Sequence, residues 1–277
     1  MSRVEKNKKT TVRTILQRKG GDKVAVLTAY DYFTARLLDE AGIDILLVGD
    51  SAANVLHGHK TTLAIGMDVM VAHTAAVARG NSRALVVADM PFMSYQPSLE
   101  TAIRNAGRFL AEGGAEAVKI EGGLEMAPTV ARLIECGIPV MAHIGLTPQS
   151  IHRIGGPRVQ GRNDRSRSYL VESALALEQA GCFSIVLELI QSDVAGEITE
   201  RLKTMVTIGI GSGPHCDGQV LVINDILGLR EAAFKPKFLR EYADLKPVIG
   251  DAVRRFISDV RKGTYPSTDE SFGPDAH

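Results

Sequence analysis

The chain has 277 residues, 45% of them hydrophobic and 23% charged, which is the profile of a water-borne globular protein with enough length for a sizeable core. Lysine plus arginine equals aspartate plus glutamate at 32 each, so no global field draws the protein to nucleic acid or an anionic membrane, and small molecules are the expected partners. Cys136, Cys182 and Cys216 form no CxxC pair and no even-numbered disulfide framework, and no stretch approaches the roughly 20 apolar residues of a membrane span.

In chain order, the opening MSRVEKNKKTTVRTI lacks the apolar run of a signal peptide, so a cytoplasmic location is expected. Short apolar runs then follow: VAVLTAYD from Val24, IDILLVGDS from Ile43, ALVVADMPF from Ala84 and EAVKIEGG from Glu116. IPVMAHIGLT from Ile138, FSIVLELI from Phe183, MVTIGIGSG from Met205 and GQVLVINDILG from Gly218 complete eight. Each is apolar over about five residues, as parallel strands buried on both faces must be. Between most of them lie Ala- and Leu-rich segments with helical spacing, such as YFTARLLDEAG and SYLVESALALEQAG, several closing on a glycine before the next run. Strand, helix, glycine and strand repeated to eight predict an α/β protein, a single-domain (β/α)8 TIM barrel over residues 1–277. A doubly wound open sheet is the alternative. SGPHCDG, between the last two runs, is too short for a crossover helix, the Ser51–Thr62 loop is long, and a short N-terminal extension and a polar tail over about 263–277 are expected to flank the barrel.

Barrel active sites lie at the carboxyl ends of the strands, so the residues closing each run matter most. Those are Asp31, Asp50 with Ser51, Asp89, Lys119 with Glu121, His143 and Glu188. So many carboxylates around one lysine and one histidine repel one another unless a cation joins them, and oxygen donors without thiolates suit a hard ion such as Mg²⁺. Each residue also has a plainer reading. Asp31, Asp50 and Asp89 could cap the helices that follow, Lys119 and Glu121 could be a structural ion pair, and His143 could be a hydrogen-bonded core residue. Glu188 closes so apolar a strand that its carboxylate is partly desolvated, the setting a general base needs. His57, His59, His73, His152 and His215 show no metal-ligand spacing, and GIGSG at Gly209–Gly213 is only a weak anion-binding signal.

At these residues the chain resembles the ketopantoate hydroxymethyltransferase family, from about Lys9 to Gly263. The strings that carry the resemblance, in order, include LTAYDYFTA, DILLVGDSAANV, HTAAVARG, VVADMPFMSY, AVKIEGG, GIPVMAHIGLTPQS, IVLELI, CDGQVLVINDILG and KPKFLREY. The resemblance implies a (β/α)8 barrel that uses Mg²⁺ and 5,10-methylenetetrahydrofolate to hydroxymethylate 3-methyl-2-oxobutanoate. It implies Asp50, Asp89 and Glu121 as metal residues, the last directly or through water. Asp50, Ser51, Asp89, Lys119 and His143 would bind substrate, and Glu188 would be the catalytic base. It also implies a homo-oligomer, a decamer. The chain departs from the family pattern at Ala52, Ala53 and Asn54 and at Pro157 and Arg158, in loops that flank the site and bear on pterin binding. Two other readings are a Mg²⁺-dependent lyase or aldolase of another 2-oxo acid, and a non-catalytic barrel that binds folate or a keto acid.

Overall fold

The computed structural model describes residues 8–230 and 235–273. Eight parallel strands close into a barrel in sequence order. They are β1 (Val24–Thr28), β2 (Ile45–Val48), β3 (Leu85–Asp89), β4 (Ala117–Glu121), β5 (Val140–Gly145), β6 (Ser184–Glu188), β7 (Val206–Ile210) and β8 (Gly218–Leu221). Each falls within one of the eight apolar runs, and β8 pairs back onto β1 with Val24 opposite Gly218 and Val26 opposite Val220. The closed barrel decides against the open sheet.

The helices are α1 (Val12–Leu16), α2 (Tyr32–Ala41), α3 (Ala52–Val55), α4 (Met67–Gly80), α5 (Leu99–Ala111), α6 (Ala127–Glu135), α7 (Ile151–Ile154), α8 (Asp164–Gln179), α9 (Ser192–Arg201), α10 (Ile223–Ile226) and α11 (Leu245–Lys262). Their ends have local causes. Asp31 caps α2 by accepting from the Thr34 N–H at 2.8 Å, Ser98 caps α5 through the Thr101 N–H at 3.1 Å, and Asn163 opens α8 with a capping box. Helix α2 stops at Gly42, whose φ of 97° is left-handed backbone that glycine adopts without strain. No helix stands between β7 and β8, as the brevity of SGPHCDG requires, and the long loop after β2 is filled by α3 and a 3-10 turn at Thr62–Ala64.

Alternation sets what fills the barrel. Val24 and Val26, Ile45 and Leu47, Leu85 and Val87, Met141, Val186, Val206 and Ile208 pack inside, with Ile15 of α1 joining the same cluster. Full burial of one such side chain stabilises the fold by about 1.5–3 kcal/mol. Following the same inward face toward the carboxyl ends, the next positions are Asp89, Lys119, Glu121, His143 and Glu188. The core thus stops where the ionisable groups begin.

The chain divides into two compact units, Met1–Ile223 and Asn224–His277. The first contains the closed barrel. The second carries α11, an 18-residue helix with no buried residue, and a 3-10 turn at Thr268–Glu270 within the C-terminal tail. The last four residues of that tail and the first seven of the N-terminal extension lie outside the described residues.

Candidate functional site

Register brings the strand-end residues together. Asp89 of β3 is opposite Lys119 of β4, and Glu121 of β4 is opposite His143 of β5. A cavity of about 180 Å³ at this end of the barrel is lined by Asp50, Ser51, Asp89, Lys119, Glu121, His143 and Glu188, together with Thr28, Asn54, Thr62 and Pro148. Seven of the eight strand-end residues singled out in the sequence therefore face one space. Asp31 does not; its carboxylate is spent on the α2 cap and the Thr34 hydroxyl.

The contacts form a chain of opposite charges. Lys119 Nζ stands 2.5 Å from Asp89 Oδ1 and 3.3 Å from His143 Nδ1. The Asp50 N–H donates to Asp89 Oδ2 at 3.1 Å, so the two aspartates lie side by side. Glu121 Oε1 is 3.5 Å from His143 Nδ1, and His143 Nε2 is 3.1 Å from Glu188 Oε2. Ser51 Oγ shares a 2.8 Å hydrogen bond with the hydroxyl of Tyr30. Glu188 is aimed by an unusual backbone. Leu189 after it adopts a left-handed φ of 47°, at a cost of about 1–2 kcal/mol. A side chain at Gly145, its β5 neighbour, would collide with the Glu188 carbonyl.

Electrostatics follow from burial. The Asp50 carboxyl is pushed well above the usual range by desolvation, by Asp89 and by Glu121, against the pull of Lys119 and of the Gln149 hydrogen bond. Asp89 is also raised, by burial and Glu121, with Lys119 opposing. Burial works against the Lys119 ammonium, yet Asp89, Glu121 and Asp50 more than offset it and hold its proton firmly. Glu121 is lowered despite burial, because His143, Lys119 and the Gln149 N–H favour its charge. Burial and Lys119 would lower His143, but the acceptor carboxylates of Glu121 and Glu188 prevail and raise it to about 9. His143 Nε2 thus faces Glu188 at ion-pair distance without a directional hydrogen bond, and Nδ1 lies between Lys119 and Glu121.

Four carboxylates thus face one lysine and one imidazolium, which leaves the cavity short of positive charge. Asp89 Oδ1 is taken by the Lys119 ion pair, whereas Glu121 Oε1 is buried with only His143 Nδ1 approaching it and no directional hydrogen bond. An acceptor left in that state costs free energy that a cation would recover. Among the described residues no three His, Cys, Asp or Glu groups close on one point as a finished metal cage. What the cavity offers instead is carboxylate oxygens and open space, the donor set of a Mg²⁺ ion that keeps part of its water. The residues fit that ion.

Sequence reasoning missed three residues. Tyr30, buried behind Ser51, and Tyr95 and Gln149, buried between the aspartates and Glu121, sit in loops where strand alternation has no reach. Gln149 and Tyr95 do lie inside the strings GIPVMAHIGLTPQS and VVADMPFMSY that carry the resemblance, which was the available signal. The other histidines stay outside the cavity. His57 and His73 pair through their Nε2 atoms at 3.1 Å, and His73 Nδ1 contacts the Tyr30 carbonyl at 2.7 Å. Within GIGSG, Ser212 is occupied with the backbone around Glu188, its hydroxyl donating to the Leu187 carbonyl and accepting from the Ile190 N–H.

Residues 9–268 match the model of a protein family described as ketopantoate hydroxymethyltransferase. The 3-methyl-2-oxobutanoate hydroxymethyltransferase of Trichlorobacter lovleyi is 55% identical over 266 residues, covering 96% of this chain and 99% of that protein. The protein of the same name from Geobacter sulfurreducens is 53% identical over 267 residues, covering 96% and 99%. Among solved structures, phosphonopyruvate hydrolase superposes with a TM-score of 0.61 at 12% identity, covering 96% of this chain and 92% of that one. A 2,3-dimethylmalate lyase superposes with a TM-score of 0.58 at 15% identity, covering 96% and 92%. At such identities these two structures speak for the barrel fold alone.

Proposed function

The chain belongs to the ketopantoate hydroxymethyltransferase family and is a one-carbon transferase that forms ketopantoate, the first step of pantothenate biosynthesis; we propose that it does so with Mg²⁺ held at Asp50 and Asp89 and with Glu188 as the base. The observation that carries this reading is the cluster itself: two buried, mutually repelling aspartates facing Glu188 across one small cavity. At about 180 Å³ the cavity is smaller than the roughly 300–1,000 Å³ that encloses a drug-sized ligand, so it suits a short 2-oxo acid, with 5,10-methylenetetrahydrofolate approaching from the mouth.

Glu121, already engaged by the Gln149 N–H and facing His143, would act on the cation through water. When bound, Mg²⁺ supplies Lewis acidity that draws charge toward the keto oxygen of 3-methyl-2-oxobutanoate. Lys119 balances the substrate carboxylate, and Ser51, held by Tyr30, offers it a hydroxyl. Glu188 takes the proton from the carbon beside the ketone. Its Oε2 is engaged by His143, which leaves Oε1 to meet the substrate. Water hydrolyses the methylene group of the folate to a formaldehyde equivalent, both of its C–N bonds breaking as tetrahydrofolate leaves. The enolate carbon adds to that one-carbon unit, and its oxygen takes a proton to become the hydroxyl of the product.

Two wider features belong to this reading. Cys136 is a free, exposed thiol, which suits the reducing cytoplasm. Self-association into a homo-oligomer is supported by α11, whose apolar side chains lie open. The chemistry is tested by incubating the purified protein with 3-methyl-2-oxobutanoate, 5,10-methylenetetrahydrofolate and Mg²⁺ and measuring ketopantoate. Chelator should abolish turnover, Mg²⁺ should restore it, and Asp50→Asn and Asp89→Asn should each demand more Mg²⁺. Full activity after thorough chelation would overturn the metal reading, and consumption of the keto acid without folate would mark a lyase.

A further inference from the structure

Between Asp50 and Glu121 lies a side chain with no room and no free hydrogen-bonding group. Gln149 stands in the 3-10 turn Pro148–Ser150 after β5 and is 5% exposed. Its Nε2 donates to Asp50 Oδ2 at 3.0 Å and to the Met90 carbonyl at 2.9 Å. Its Oε1 accepts from the Tyr95 hydroxyl at 2.8 Å and from Gln96 Nε2 at 3.2 Å. Its own N–H donates to Glu121 Oε2 at 2.9 Å. One residue therefore grips both acidic groups, one through the side chain and one through the backbone.

The direction of the amide is fixed by its neighbours. The Met90 carbonyl can only accept, so it must face the NH₂. Tyr95 accepts the Glu121 N–H at 3.0 Å, and the nearer acceptor for its single proton is Gln149 Oε1, since the Glu121 carbonyl is farther at 3.2 Å. With both ends pinned, the second NH₂ proton has one place to go, Asp50 Oδ2. This settles which oxygen of Asp50, itself a lining residue of the cavity, the amide engages.

We infer that Gln149, locked by Tyr95, is a positioning residue that sets the orientation of the Asp50 carboxylate and ties it to Glu121. The inference rests on the cation and keto acid being bound at Asp50 as proposed above. Without the clamp, two buried carboxylates that repel each other would be free to turn apart, and the cation would meet a poorly organised pair of ligands.

Gln149→Met keeps the volume and the backbone N–H to Glu121 but removes the donor to Asp50, and Tyr95→Phe removes only the hydroxyl that pins the amide. Mn²⁺ can stand in for Mg²⁺, with free ion counted by electron paramagnetic resonance in the presence of 3-methyl-2-oxobutanoate and no folate. Gln149→Met should bind Mn²⁺ about 10–100-fold more weakly than the parent, the range typical of groups that orient metal ligands. Tyr95→Phe should shift affinity the same way by less, and steady-state kinetics should show the Mg²⁺ requirement rising more than the keto-acid KM. Parent-like Mn²⁺ affinity in folded Gln149→Met overturns the inference. So do affinity losses that merely track lowered unfolding temperature in both variants, because a packing residue would behave that way. If Asp50→Asn binds Mn²⁺ as the parent does, the metal reading has failed instead. The crystal structure of Gln149→Met then decides the positioning role alone: a rotated Asp50 carboxylate supports it, and an unmoved one overturns it.

Discussion

Of the four carboxylates around the cavity, Glu188 is the most open, with its side chain 18% exposed against 3% for Asp89 and Glu121. A base must reach its substrate, and the other three are buried and bound to neighbours. Glu188→Gln keeps the shape but cannot take a proton, so it should bind Mg²⁺ and keto acid nearly as the parent does. In D₂O without folate it should exchange the proton beside the ketone at least about a hundredfold more slowly. Proton NMR of 3-methyl-2-oxobutanoate reads that rate, and undiminished exchange would move Glu188 to a later step. His143 permits a second measurement. Its value of about 9 in the fold exceeds the ordinary value near 6.5, so the folded state holds the proton more tightly than the unfolded one. The resulting stabilisation, on the order of 3 kcal/mol at most, is complete below about pH 6.5 and disappears as pH rises through about 9. The unfolding temperature should therefore decline between those limits, and His143→Gln should flatten the slope. A level parent curve would show that the imidazole is neutral in the fold.

Elements were legible wherever burial is two-sided. A parallel strand covered on both faces is written as a continuous apolar run, and all eight runs became strands; inward alternation along ALVVAD, AVKIE and SIVLE then carried Asp89, Lys119, Glu121 and Glu188 to the cavity. Connections were less legible, because their conformation depends on distant partners. Gln149 reads as one more polar loop residue until β2 and β4 bring Asp50 and Glu121 to it. Asp39, in α2, is a second case: a carboxylate on a surface helix that proves 7% exposed. It accepts from the Ser82 hydroxyl at 2.7 Å and from the backbone N–H groups of Ser82, Arg83 and Ala84, thereby fastening the α4–β3 connection to α2. Although burial opposes the charge, Ser82 and these N–H groups lower its carboxyl below the ordinary range. Asp39→Ala strands several donors and should cost about 2–4 kcal/mol of stability. The folded enzyme should keep its activity, since Asp39 lies at the end of the barrel away from the cavity. Its contribution is present above the unfolded value near 3.9 and is lost as pH falls through the lower folded value, so denaturation curves of parent and variant should converge in acid. Equal stability at pH 7 would show the fastening to be incidental.

At the scale of the whole molecule, the chemistry and the proposed self-association fall in different parts of the chain. Every residue assigned to the cavity falls in Met1–Ile223, while Asn224–His277 contributes α11. On that helix Val248, Ile249, Val253, Phe256, Ile257 and Val260 recur at helical spacing and are each 38–60% exposed. A contiguous apolar stripe of that size is uncommon on a protein that stays monomeric, and a balanced net charge puts up no long-range repulsion against a second copy. Light scattering after size exclusion should therefore give a mass several times the 29.8 kDa of one chain. Val253→Asp combined with Phe256→Asp places two charges in the stripe and should shift the mass toward that of a single chain. Because the cavity is built within Met1–Ile223, the dispersed variant should still exchange deuterium into the keto acid. A parent already at 29.8 kDa would sink the assembly, an unchanged mass in the variant would remove α11 from it, and a dispersed variant without exchange would mean that neighbours complete the site.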